Sequence, residues 1–201
     1  LACSAPLLIV LGTAFGLLDA NSLGADPVRE TIHRLGKTAL NLLLITLAVT
    51  PLRQLAHWNE VQRVRRMLGV FAFTYALLHF VAYFWLDQAL NVPGILADIV
   101  KRPYITIGML ALLLLIPLAV TSTNGWIRRL KKRWQTLHRL IYPIAILGVW
   151  HFWWQVKKDI REPLIYAGIL ALLLGWRLWH GPIRRRLATS KSGPATAPGR
   201  T

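Results

Sequence analysis

Two histidines, His138 and His151, fall in one apolar stretch that runs from Leu137 through Tyr142 and Pro143 to Trp153 and Trp154. A third, His79, lies deep in another apolar stretch, Leu68 to Leu86. An ionisable side chain in hydrocarbon is costly and usually functional. Neutral imidazole is also a common axial ligand of haem iron. Three such residues on two segments point to a cage for a cofactor rather than to ordinary core positions.

Composition defines what must carry these residues. The chain has 201 residues, 55% of them hydrophobic and 16% charged, with a mean hydropathy of +0.45 and several apolar runs of bilayer length. It reads as an all-α integral membrane protein. The net charge of +16 raises the question of nucleic acid. The Lys and Arg residues, however, sit between apolar runs, where they meet lipid headgroups and set topology, and no soluble basic domain carries them. A single cysteine, Cys3, excludes an intrachain disulfide and a Cys-ligated iron–sulfur or zinc site. Redox chemistry here needs another cofactor.

Six spans are expected, at about 5–18, 36–52, 67–86, 104–120, 138–154 and 163–179. The first is only marginally long enough. It begins at Leu1 rather than Met, as a truncated first helix would, and it resembles a signal-peptide core but has no basic region before it, which favours a membrane helix. Asp26 before Pro27 fits a helix N-cap with proline at the first helical position, opening a short amphipathic approach to the second span. Residues 53–66 read as a polar loop and Asn91-Val92-Pro93-Gly94 as a turn followed by a short amphipathic piece. The basic run Arg128, Arg129, Lys131, Lys132 and Arg133 leads into the histidine segment. Trp150, Trp153 and Trp154 fit a headgroup belt. Residues 1–187 form one membrane domain, and the tail 188–201 has a disordered composition. No internal repeat is evident.

With six spans, the side bearing both termini carries 15 basic residues against 8 on the other, so both termini are expected in the cytoplasm. The third and fifth spans then run outward together. His79 lies 13 residues past Arg66 and His151 lies 12 past Arg139, which puts both about 18–20 Å from the cytoplasmic edge. Two level imidazoles on different helices can sandwich one haem. Ala76 and Gly148, each three residues before a histidine, leave room for a macrocycle.

His138 lies 13 residues inward of His151 and about 140° around a straight helix. Its level partner on the third span would fall near Arg65 and Arg66, where there is no histidine, although Pro143 can bend the segment. It reads equally as a ligand or as an interfacial residue beside Arg139. The plain alternative for His79 and His151 is a hydrogen bond across helices. His33, His57 and His180 lie at connectors or span ends and carry little weight as ligands. The arginine clusters are foremost topology determinants, with a secondary role holding haem propionates or a flavin phosphate.

Several motifs occur in order with compatible spacing over residues 20–180. They are Gly24-Ala25-Asp26-Pro27, Val64-Arg65-Arg66-Met67-Leu68-Gly69, Leu78-His79, Lys101-Arg102-Pro103-Tyr104, Thr121-Ser122 and Arg133-Trp134-Gln135-Thr136-Leu137-His138-Arg139-Leu140-Ile141-Tyr142. Together they resemble the haem-binding membrane subunits of periplasmic methionine sulfoxide reductase systems, the MsrQ or YedZ family of the ferric-reductase-like transmembrane superfamily. The resemblance implies a six-helix bundle in the bacterial inner membrane that binds haem b through His79, His138 and His151. It also implies association with FMN and electron delivery to a periplasmic molybdoenzyme methionine sulfoxide reductase as heterodimer partner. The chain departs from the broader superfamily in lacking a second histidine on the third span and a soluble flavin and NAD domain. A separate donor, quinol or a cytoplasmic flavin reductase, would then supply electrons. The competing readings are a small transporter or metal-permeation protein and a stand-alone ferric reductase.

Overall fold

Asp26 starts the first helix as its sequence context predicts. Its carboxylate accepts the Arg29 backbone amide at 3.1 Å, and Pro27 occupies the first helical position. The computed structural model describes residues 26–57, 60–156 and 159–180, excepting the side chains of 61–63, and these residues contain helices and no strand. The expected first span, 5–18, and the tail from 188 lie outside the described residues.

Helix α1 (Pro27–Ala56) absorbs both the amphipathic approach and the second span in one 30-residue rod, continuing through Pro51. Helix α2 (Val61–Ala82) begins inside the region expected as a loop and passes into a π-helical turn, Tyr83–Asp87. Helix α3 (Val92–Lys101) is the short amphipathic piece, capped by Asn91, whose side chain accepts the Gly94 amide at 3.2 Å. Helix α4 (Pro103–Val120) matches the fourth span within a residue. The basic run folds into two short helices, α5 (Asn124–Leu130) and α6 (Lys132–Leu137), separated by Lys131 at φ 48°. A 3-10 turn, His138–Leu140, precedes α7 (Ile141–Gln155), and α8 (Arg161–Leu178) closes the described bundle. Pro143 therefore lies in the first turn of α7, where its missing N–H is tolerated and the break falls before the helix.

Among the described residues, three stretches are long and apolar enough to cross a membrane, namely α1, Val64–Asp87 and α4. Of the other two expected spans among the described residues, α7 has 15 residues because the 3-10 turn takes its approach. Helix α8 carries Arg161, Glu162 and Arg177 within its 18 residues.

Helix α1 packs along α2, and α4 packs along α7. Their shared core contains Leu43, Leu47, Ala72, Tyr75, Leu115, Ile144 and Ala145. Tyr166 donates to Asn41 at 2.7 Å, Lys37 pairs with Glu162 at 2.9 Å, and Arg177 bonds Thr50, so α8 is held against α1. Large apolar side chains such as Leu113, Ile165 and Leu172 point outward, as a lipid-facing surface requires. Ala145 is 0% exposed, so Ala145→Leu is expected to destabilise the bundle by about 1–3 kcal/mol through overpacking. A thermal unfolding midpoint in detergent equal to that of the unsubstituted protein would contradict this packing.

Candidate functional site

The α1–α2 and α4–α7 pairs meet around a cavity of about 640 Å³. His79 and His151 both line it, with ring centroids 6.1 Å apart and ring planes at 82°. The equal depth expected from the sequence is thus realised as two neighbouring imidazoles on different helices. Ala76 and Gly148 line the same space, as their small size predicts.

Each imidazole has one nitrogen committed. His79 Nδ1 lies 2.8 Å from the Ile32 carbonyl oxygen, and His151 Nδ1 lies 2.7 Å from that of Tyr104. A carbonyl only accepts, so Nδ1 carries the proton and donates in both, leaving the Nε2 lone pair for a ligand. This arrangement also fixes ring orientation and raises ligand basicity.

The geometry fits a haem held between the two rings. An imidazole nitrogen binds a first-row metal at about 2.0 Å, so two rings on one iron have centroids about 6 Å apart, close to the separation seen. The walls are apolar, with Leu40, Leu43 and Leu112, while Arg29, Lys37 and Arg102 supply cations on the lining. Such cations suit propionate carboxylates. Among the described residues, no group of three or more His, Cys, Asp or Glu side chains is placed to hold a metal ion. The pair therefore presents two ligands, the number an axially ligated haem takes.

His138 is not brought to this cavity. It lies before α7, its ring stacked on Trp134 at 3.8 Å and its Nδ1 3.1 Å from the Trp134 carbonyl oxygen. Its Nε2 is buried and has no hydrogen-bond partner. Arg65 and Arg66 also lie away from the cavity, at the start of α2. Arg66 bonds the Asn124 side chain at the start of α5. The structure thus separates one histidine and two arginines at one end of the bundle from the histidine pair near the other.

His33, given little weight as a ligand from sequence, does line the cavity, with its Nε2 2.8 Å from Gln155 Nε2. His57 caps the end of α1, and His180 stacks on Trp176 at 3.9 Å.

The site also contains a repeat that the sequence did not disclose. Gly36 on α1 faces the His79 ring, and Gly108 on α4 faces the His151 ring. The differences 79 − 36 and 151 − 108 both equal 43, and both histidines bond a carbonyl 47 residues earlier. The only available signal was equal spacing between glycine and histidine on separate helices. It becomes meaningful once the helix pairing is known.

A family model described as "Ferric reductase like transmembrane component" matches residues 35–149, which include α2, α4, most of α1 and α7, and His79 and His138, and end two residues before His151. The chain is 60% identical over 178 residues to a protein of Xanthomonas campestris pv. campestris (strain 8004) named protein-methionine-sulfoxide reductase heme-binding subunit MsrQ, covering 89% of this chain and 82% of that one. A protein of the same name from Rhodospirillum rubrum is 52% identical over 192 residues, covering 95% and 90%. The chain belongs to the MsrQ family. The MsrQ relationship covers most of the chain, so it includes His79, His138 and His151 and the helices that position them. No solved structure matches the chain.

Proposed function

We propose that this chain is the membrane electron-transfer subunit of a protein-methionine-sulfoxide reductase. In this reading it binds haem b between His79 and His151 and delivers electrons to a periplasmic molybdenum enzyme. The supporting observation is the imidazole pair itself: two rings 6.1 Å apart, each with Nδ1 on a backbone carbonyl. The MsrQ relatives, named as haem-binding subunits of such a reductase, supply the setting. A haem with two imidazole ligands supplies reversible one-electron exchange when bound.

The chain's own residues account for the rest. Ile32 and Tyr104 hold the ligand tautomer, Leu43 and Leu112 exclude water, and Arg29 and Arg102 are placed to receive propionates. The excess of basic residues on one side orients the bundle with both termini in the cytoplasm of the bacterial inner membrane. The histidine pair then lies in the outer half, with His138, Arg65 and Arg66 in the inner half. There the buried Nε2 of His138 is free to ligate or adjoin a redox group on the donor side. FMN would find phosphate partners among Arg65, Arg66 and the run 128–133 rather than in the histidine cavity.

Electrons enter from quinol or a cytoplasmic flavin reductase. They leave to the docked periplasmic enzyme, whose product is a restored thioether in an oxidised protein. The test uses membranes containing the full chain, prereduced, to which an active partner enzyme and a methionine sulfoxide substrate are added. Reoxidation of the haem band is the expected result. If the partner leaves the band reduced while a ferric chelate reoxidises it readily, sulfoxide repair fails and a stand-alone ferric reductase takes its place. A colourless purified protein would favour a transporter or metal-permeation role.

A further inference from the structure

Two helix pairs in this bundle build the same device. In each, a histidine on one helix donates Nδ1–H to a carbonyl on its neighbour, Ile32 for His79 and Tyr104 for His151. In each, the residue four positions after that carbonyl is glycine, Gly36 or Gly108. In an α-helix the amide of that glycine bonds the same carbonyl, so the oxygen accepts from both its own helix and the imidazole. A side chain at either glycine would stand against the ring. A Cβ at Gly36 would lie 3.0 Å from His79 Nδ1, and one at Gly108 would lie 2.7 Å from His151 Nδ1. The contact falls on the nitrogen that makes the bond.

Glycine inside a helix is destabilising relative to alanine, because its backbone has more conformational freedom to lose. Gly168, in α8, meets nothing within 4 Å, and Gly69 meets only Thr46 at 4.0 Å. Among the described glycines, crowding against a histidine ring is confined to the two positions that share the 43-residue offset, so a general need for close helix packing does not explain them.

We propose that Gly36 and Gly108 are positioning residues. Each leaves the gap through which an imidazole reaches a helix carbonyl, and together they set the ring planes and donor strength of the two nitrogens facing the cavity. This rests on the His79–His151 haem reading given above. Hydrogen bonding at Nδ1 makes the imidazole a stronger donor and so favours the ferric state. A methyl group that pushes the ring off its carbonyl weakens that preference. The change in orientation also alters the angle between ring planes, which governs how π donation divides between the iron d orbitals and hence the anisotropy of the low-spin EPR signal.

The experiment compares Gly36→Ala and Gly108→Ala with Gly168→Ala and Gly69→Ala in the full chain, in membranes, by redox titration and EPR. At a fixed ambient potential, the ratio of reduced to oxidised haem should rise about tenfold in Gly108→Ala. It should rise less in Gly36→Ala, whose contact is longer, and a shifted low-spin EPR signal should accompany both changes. The two control variants should behave as wild type. His79→Ala and His151→Ala are measured alongside: if they keep the low-spin spectrum, it is the haem reading that fails. If they lose it while both Gly36→Ala and Gly108→Ala titrate and resonate like wild type, the glycine assignment is overturned. Failure of both of those variants to accumulate as folded protein, with Gly168→Ala accumulating normally, would also overturn it in favour of a purely structural role.

Discussion

His79→Ala and His151→Ala are each expected to abolish the low-spin haem spectrum of the His79–His151 site. The two imidazoles are on different helices and each offers one Nε2, so neither ring can replace the other. Alanine at either position removes one of the two ligands, and the neighbouring Leu43 and Leu112 offer no replacement. The helices should still pack, because core residues such as Tyr75 and Ala145 lie away from the cavity lining. Optical spectra of membranes, with haem content measured against protein, provide the check. If both variants keep a full-strength reducible low-spin band, the pairing is wrong.

His138→Ala should have the second largest effect and a different profile. His138 does not line the cavity, so haem between His79 and His151 should persist near its wild-type level. Electron throughput from a cytoplasmic donor to the periplasmic acceptor should instead fall severalfold, because the variant removes a half-buried imidazole whose buried Nε2 has no hydrogen-bond partner. Loss of all haem in His138→Ala would assign His138 to the same iron or to the fold. Unchanged throughput would make it an interfacial residue stacked on Trp134.

The histidine pair was legible because depth in a membrane is a one-dimensional quantity. Counting residues from Arg66 and Arg139 placed His79 and His151 on one level without knowledge of which helices touch. The same counting separated His138 from them. Asp26 and Pro27 were legible as a helix start because capping is local chemistry. Gly36, Gly108, Arg29 and Arg102 were not, since their importance depends on α1 lying against α2 and α4 against α7. His33 was given little weight as a ligand for a related reason. It falls just before the second span expected from residue 36, and its place on the cavity emerges only when the helix pairs come together. Residues 53–66 read as a loop from their charge, but α1 extends to Ala56 and α2 starts at Val61. Basic side chains on a helix end can remain in the headgroup layer while the backbone stays helical.

The cavity is lined partly by residues at helix ends. Asp26 precedes α1, Asp87 ends the π turn, Arg102 precedes α4, and Gln155 ends α7. On the haem reading proposed above, the cofactor's edge would lie near the face of the bundle where these helices begin and end. A partner that docks on that face would then receive electrons at the surface, without a segment of its own entering the bundle.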